Sequence, residues 1–152
     1  MNLELKIPPL VVAALLAAGM WGLSHVTSPV IPHATLTTSI AIVLAILGLG
    51  FSIAGDIAFH RARTTVNPLK PGNASRLVTT GVYRVTRNPM YVGVAFVLTA
   101  FAVYRGNAWA VAGPAAFVLY ITRFQIVPEE RILSSLFGEQ YTAYTKRVRR
   151  WV

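Results

Sequence analysis

The chain has 152 residues, of which 55% are hydrophobic and only 12% are charged, and its formal net charge is +9. Soluble domains contain about 25% charged residues, so the composition excludes an ordinary soluble domain and indicates one membrane-embedded domain over residues 1–152. The positive charges lie between apolar runs, which favours a lipid bilayer over nucleic acid as the partner, and the absence of cysteine excludes disulfides and thiolate metal sites.

Four apolar stretches follow one another along the chain. Residues 7–55 contain no Lys, Arg, Asp or Glu, and the prolines of HVTSPVIPH (25–33) divide this run in two. Two further uncharged stretches cover 88–104 and 106–122. A membrane span needs about 20 apolar residues. The sequence therefore predicts an all-α integral membrane protein with short C-terminal interfacial helices and about four transmembrane helices, near 8–25, 34–57, 88–104 and 106–124.

The basic residues predict the orientation of these spans. Lys and Arg concentrate in the loop 58–87 and in the tail 129–152, whereas the turn 25–33 has none. Loops rich in Lys and Arg stay in the cytoplasm. We therefore expect both termini, the loop and the tail on the cytoplasmic side of a bacterial or archaeal cytoplasmic membrane.

The loop before the third span ends in a polar motif, TRNPMY (86–91). Asn is a favoured N-cap residue and Pro is favoured at the first helical position, so Asn88 and Pro89 fit a helix start. Capping does not explain why two arginines and two tyrosines surround the same point. A helix N-terminus beside arginines attracts an anion such as a carboxylate. The residues concerned are Tyr83, Arg84, Arg87 and Tyr91.

A second polar group adjoins the end of the fourth span. Glu129 and Glu130 lie close in sequence to Arg123, and carboxylates at membrane depth are costly unless they are paired or bound to a cation. Alternatively the two acids begin a surface helix, where acidic residues favour the first turn. On sequence alone the two interpretations stay equally open.

The tail beyond these acids has apolar and aromatic residues at helical spacing, interrupted by Gly138. This pattern predicts two short amphipathic helices on the membrane surface. We expect the aromatic residues to anchor them at the interface rather than to line a cofactor site. They are Phe137, Tyr141, Tyr144 and Trp151.

Together these two polar stretches of the sequence resemble the motifs of a known family. The stretch LVTTGVYRVTRNPMYVG, followed by EERILSSLFGEQYTAYTKRVRRW, is similar to the integral-membrane methyltransferases, which include isoprenylcysteine carboxyl methyltransferases and phospholipid methyltransferases. The resemblance covers residues 64–151 and does not extend to the first two spans. It implies S-adenosylmethionine-dependent methyl transfer to a lipophilic or membrane-associated acceptor at the cytoplasmic membrane face. Acceptors of this kind are a prenylcysteine-like carboxylate, a phospholipid amine or a hydrophobic thiol.

The resemblance also implies which residues form the site. A helix start with arginines suits the cofactor carboxylate, a glutamate suits its ammonium, and aromatic rings suit its adenine and sulfonium. The expected cofactor-binding residues are Val78, Gly81, Tyr83, Arg87, Asn88, Pro89, Tyr91, Gly93 and Glu129. The expected catalytic residues are Glu130, acting on the acceptor, and Arg123, steering a carboxylate acceptor or pairing with Glu130. No cluster of His, Asp and Glu in the sequence suggests a metal.

The chain departs from the family pattern at two positions. Asn88 stands where the family commonly has His, and Val82 stands where it commonly has Pro. Because an amide cannot act as a general base near neutral pH, we interpret Asn88 as a residue that positions the cofactor.

Two other functions compete with methyl transfer. An NADPH-dependent membrane reductase of the sterol or fatty-acyl type has distantly similar C-terminal motifs, but NADPH needs more room and more phosphate contacts than this short chain offers. A non-enzymatic membrane protein would leave Arg87, Asn88, Tyr91 and Glu129 without a purpose. The sequence does not predict the oligomeric state.

Overall fold

A computed structural model of the chain describes residues 3–28, 30, 35–62 and 71–152. Helices account for all the regular structure in these ranges, which confirms the all-α class. Part of the predicted loop, residues 63–70, and part of the turn 25–33 lie outside them. The α-helices are α1 (Pro9–Val26), α2 (Thr35–Ala62), α3 (Pro89–Arg105), α4 (Ala112–Ile121) and α5 (Val127–Arg147).

The helices are long and apolar enough for a membrane protein. Helices α1 and α2 and the continuous stretch Ala108–Arg147 each have the length and hydropathy of a membrane span. Helix α3 is shorter, with 17 residues, which corresponds to about 26 Å. Three to four helices can therefore cross a bilayer, as the sequence predicts.

Helix α3 is the centre of the bundle, because α1, α2 and α4 all pack against it. Glycines bring α2 and α3 close together. A Cβ atom added to Gly48 would lie 2.6 Å from the carbonyl oxygen of Gly93. Glycines on facing helices let the two backbones approach closely in a membrane. The opposite side of α3 contributes Leu98 and Ala102 to a core shared with α1 and α4.

A π-helical turn, Thr122–Ile126, joins α4 to α5 and brings the N-terminal segment into the fold. Pro128 has no N–H to donate to the carbonyl four residues earlier, that of Phe124. The backbone N–H of Leu5 donates to this carbonyl instead, at 3.0 Å. The neighbouring Glu4 carboxylate pairs with Arg123 and Arg131, both at 2.8 Å. Their hydrogen bonds lower the pKa of Glu4.

Gly138 breaks α5 into two shorter helices, as predicted. Its φ of 49° and ψ of −120° interrupt the helical backbone, and a positive φ favours glycine because it has no Cβ. The second half of α5 turns back over the segment before α3. There, Tyr141, Tyr144 and Val148 form a small buried cluster. The prediction that Tyr141 and Tyr144 are interfacial anchors is wrong, because both are buried against protein.

Candidate active site

A cavity opens at one end of the bundle, between the segment 71–88, the first turn of α3 and both halves of α5. Its polar lining comes from arginine, asparagine and glutamate side chains: Arg76, Arg87, Asn88, Glu129 and Glu130. Aromatic rings provide much of the remaining wall: Phe59, Tyr83, Tyr91, Tyr141 and Tyr144. The two polar groups that lie forty residues apart in the sequence therefore meet around one space.

Most of the expected site residues line this cavity. Those that do are Val78, Tyr83, Arg87, Asn88, Tyr91, Glu129 and Glu130. Gly81, Pro89 and Gly93 are outside the lining. Gly81 has a φ of 61° and begins the short 3-10 turn Gly81–Arg84 that carries Tyr83. Pro89 is buried at the first turn of α3, and Gly93 faces Ser52 of α2.

Arg123 is also outside the cavity lining, and its predicted pairing with Glu130 is wrong. Its Nη1 lies 2.8 Å from Oε1 of Glu4, and 61% of its side chain is exposed. The π-helical turn explains the difference. Arg123 and Glu130 are about two helical turns apart in sequence, so they share a face only if the helix stays regular.

Glu129 is held by neutral groups alone. The Tyr91 hydroxyl donates to its Oε1 at 2.7 Å, and the Gln125 amide donates to the same oxygen. Among the residues that the structure describes, no cationic side chain forms an ion pair with it. A carboxylate removed from water is costly without a counter-charge. The cavity beside Glu129 therefore suits a cationic ligand group.

Glu130, in contrast, is fully engaged by arginines. Its Oε1 accepts from Arg150 Nε at 3.0 Å and lies 3.1 Å from Arg87 Nη2. Its Oε2 accepts from Arg150 Nη2 at 2.7 Å. The Arg150 contact is bidentate, the strong geometry of a guanidinium–carboxylate pair.

The hydrogen-bond donors of Arg87 are not all paired among the described residues. Its Nη2 pairs with Glu130, and its Nη1 donates to the Tyr141 hydroxyl at 3.5 Å. Its Nε is buried and has no partner among the described residues. A buried donor without an acceptor is costly, so the guanidinium at the cavity wall suits an anionic ligand group.

Asn88 occupies the N-cap position of α3, but its side chain does not cap the helix. Its Nδ2 donates instead to the carbonyl oxygen of Arg150, at 2.9 Å. The predicted helix start at Asn88 and Pro89 is therefore confirmed, whereas the prediction that the Asn88 side chain caps the helix is wrong. The Asn88 amide thus hydrogen-bonds the C-terminal segment beside the cavity.

Tyr83 and Tyr144 form one aromatic wall of the cavity. The Tyr144 hydroxyl donates to the Tyr83 carbonyl at 2.7 Å, and the Tyr83 ring meets Phe59 edge-on at 5.4 Å. Burial raises the pKa of Tyr83 well above its usual range. Its phenol therefore stays neutral near physiological pH and is not a candidate base.

Several residues at the site were not assigned to it from the sequence, among them Gln125, Tyr141, Tyr144 and Arg150. Gln125 lies four residues before Glu129, a helical spacing that could have identified it. Tyr141 and Tyr144 stood out as aromatic but were assigned to the membrane surface. For Arg150 there was no usable signal, because twenty residues and a helix break separate it from Glu130.

Comparisons with known proteins agree on the kind of protein. The phospholipid methyltransferase family model matches residues 36–140. Protein-S-isoprenylcysteine O-methyltransferase B from Arabidopsis thaliana is 29% identical over 114 residues, which cover 73% of this chain and 56% of the plant protein. An uncharacterized protein from Haemophilus influenzae is 41% identical over 63 residues, which are 41% of this chain and all of that protein. No solved structure matches.

The family match covers more than two thirds of the chain, from α2 to the first part of α5, and includes all the cavity-lining residues except Tyr141 and Tyr144. It therefore extends over the second span, where the motifs alone showed no resemblance. With the apolar helices, it agrees with the resemblance that the two motifs carry. The protein is a membrane methyltransferase by family, and the chain belongs to the phospholipid methyltransferase family.

Proposed function

We propose that the protein transfers a methyl group from S-adenosylmethionine to a lipophilic acceptor at the membrane face. The observation that carries this proposal is that a carboxylate without a counter-charge and a guanidinium with an unpaired donor line the same cavity among the described residues. Among the described residues, Glu129 is a carboxylate without a cationic partner, and the buried Nε of Arg87 has no acceptor. An amino-acid group with an ammonium and a carboxylate would satisfy both.

The cavity walls fit the rest of this cofactor. Aromatic rings of Phe59, Tyr83, Tyr141 and Tyr144 line the same space. Such rings attract cations through their faces and stack on flat heterocycles. When bound, the cofactor supplies an electrophilic methyl carbon on a positively charged sulfur. The protein's part is to hold the two charged ends, to orient the methyl group and to exclude water, and orientation alone provides much of the rate of such a transfer.

The state of the polar residues favours an acceptor that needs no general base. Both Glu130 oxygens are occupied by arginines, the Asn88 amide donates to the tail, and the Tyr83 phenol is neutral. An acceptor that is already anionic, such as a carboxylate, requires no proton removal before it takes the methyl group. The Arabidopsis relative is named as an O-methyltransferase of isoprenylcysteine, which supports a lipid-linked carboxylate. A phospholipid amine is the second candidate, supported by the family description.

A transfer assay with lipid extracts tests the acceptor. The purified protein in nanodiscs is incubated with methyl-labelled cofactor and extracted lipids, and the labelled product is treated with mild base. A methyl ester releases labelled methanol, whereas a methylated amine keeps its label. Base-stable label would exclude the carboxylate acceptor, and the absence of any labelled lipid would exclude both candidates. NADPH oxidation by the same sample would instead support the reductase.

We also propose that the cavity faces the cytoplasm, because the basic residues gather at that end. The chain has no native cysteine, so single cysteines report orientation directly. The exposed positions Val30 and Arg84 suit this test. An impermeant thiol reagent added outside intact cells should label Val30→Cys and spare Arg84→Cys. The opposite pattern would contradict the proposed orientation.

A further inference from the structure

The segment after α5 returns to the start of α3 and is fixed there by its backbone. The N–H of Arg87 donates to the carbonyl of Arg149 at 3.0 Å. The Thr86 hydroxyl and the Asn88 amide both donate to the carbonyl of Arg150, at 3.1 and 2.9 Å. Thr86 is completely buried. Three consecutive residues before and at the start of α3 thus donate hydrogen bonds to two consecutive backbone carbonyls of the tail.

This anchoring places the Arg150 side chain beside Glu130. Because Arg150 forms a fork with both carboxylate oxygens, Arg87 is left with a single contact, from Nη2 to Oε1. The Arg87 side chain is 12% exposed and that of Glu130 is 18% exposed. At such sites a carboxylate and a guanidinium gain most from a bidentate contact. Two arginines therefore compete for one carboxylate, and Arg150 has the better geometry.

We propose that Arg150 is a positioning residue that keeps Arg87 available to an anionic ligand group. Without Arg150, the Glu130 carboxylate would be free to turn its second oxygen to Arg87 and to accept from Nε as well as Nη2. That contact would consume the buried donor that has no partner in the structure described. Arg150 prevents it by occupying the second oxygen. The inference rests on the proposed function, in which Arg87 receives the cofactor carboxylate.

The neighbouring tail arginines provide a matched control. Arg149 takes part in the contact to Arg87 through its backbone carbonyl, and its side chain is exposed. Replacing Arg149 by Gln removes the same charge from the same segment and leaves the carbonyl in place. If Arg150→Gln weakens ligand binding and Arg149→Gln does not, the loss therefore cannot come from net charge or from attraction to anionic lipid.

The test measures binding of S-adenosylhomocysteine by calorimetry in nanodiscs for Arg150→Gln, Glu130→Gln, the double variant and Arg149→Gln. We expect Arg150→Gln to weaken binding about tenfold, the effect of losing one charged hydrogen bond. The double variant should bind within about threefold of wild type, because the competing carboxylate is gone. Arg149→Gln should bind like wild type. In turnover, Arg150→Gln should raise KM for the cofactor more than it lowers kcat.

The rescue by Glu130→Gln distinguishes positioning from stability. If Arg150 only held the fold together, the double variant would bind no better than Arg150→Gln, and that result would overturn the inference. Wild-type binding by Arg150→Gln would overturn it equally. Failure of the wild type to bind would count against the proposed function itself. If Arg150→Gln does not fold, the same comparison is made with Arg150→Lys, with and without Glu130→Gln, because lysine keeps the charge and loses the fork.

Discussion

The two adjacent acids of the cavity have opposite surroundings. On the Glu129 side, a tyrosine and an amide hold the carboxylate, and no cation balances it among the described residues. On the Glu130 side, two arginines occupy both oxygens, and the backbone of the tail is tied to the same place. The first arrangement is incomplete without a ligand, whereas the second is complete by itself. We therefore propose that Glu129 binds the ligand and that Glu130 has a structural role.

The largest effect on ligand binding should come from removing the charge of Glu129. We expect Glu129→Gln to weaken binding of S-adenosylhomocysteine by about 1.5–3 kcal/mol, because a charged hydrogen bond to the ligand ammonium is lost. The thermal midpoint should change little. Calorimetry and thermal unfolding in nanodiscs measure the two quantities. Glu139→Gln, at an exposed position of α5, is the control, and equal losses in both variants would remove Glu129 from the site.

Removing the charge of Glu130 should instead affect stability more than ligand binding. Glu130→Gln leaves Arg87 and Arg150 without their carboxylate, and we expect it to lower the free energy of unfolding by about 1–3 kcal/mol, less than for a fully buried pair because the side chains are partly exposed. Ligand affinity should change less than about threefold. A large loss of affinity with unchanged stability would reverse the assignment of the two acids.

A smaller effect should come from the neutral partner of Glu129. Tyr91→Phe removes the hydroxyl that donates to Oε1 and keeps the ring. We expect ligand binding to weaken by about 1 kcal/mol, the typical value for one hydrogen bond. Tyr104→Phe, at an exposed position on the same helix, should leave binding unchanged. If Tyr91→Phe binds as tightly as wild type, its hydroxyl does not orient Glu129 for the ligand.

Removing the contact between Asn88 and the tail should lower stability by about as much as Tyr91→Phe lowers ligand binding. Asn88→Ala removes the donor to the Arg150 carbonyl, and we expect the free energy of unfolding to fall by about 1 kcal/mol. Asn88→Asp should be worse, because a carboxylate faces a carbonyl oxygen and cannot donate to it. If Asp restores the stability that Ala loses, the residue acts as a helix cap after all, since Asp caps as well as Asn does.

The smallest effect concerns the N-terminal segment and depends on pH. Hydrogen bonds from Arg123 and Arg131 lower the pKa of Glu4 below its ordinary value of 4.5. A lowered pKa in the folded state stabilises the fold above that ordinary value, and the contribution disappears as the pH falls through the folded-state value. The thermal midpoint of Glu4→Gln should therefore fall below that of wild type at neutral pH and match it in strong acid. A difference that persists in acid would point to packing rather than charge.

The sequence predicted the membrane bundle well because apolar runs and helical length are local properties. It also predicted that Arg87, Tyr91 and Glu129 lie around one space, and the three residues line one cavity; only the resemblance to a family brought the two motifs together. The errors fall where local geometry is irregular. The π-helical turn separates Arg123 from Glu130, and the break at Gly138 folds Tyr141 and Tyr144 inward. A carbonyl of the tail takes the Asn88 amide away from its expected capping contact.

The central proposal is that Glu129 and Arg87 recognise the amino-acid end of the cofactor, and two ligands that differ in that end test it most directly. S-adenosylhomocysteine and methylthioadenosine share the nucleoside and the sulfur, but only the first has an ammonium and a carboxylate. Calorimetry of wild type in nanodiscs should show S-adenosylhomocysteine binding at least about tenfold more tightly, since two charged contacts are available to it. The Glu129→Gln variant should lose much of that preference. Equal affinity of wild type for the two compounds would contradict the assignment of the cavity to the amino-acid end of the cofactor.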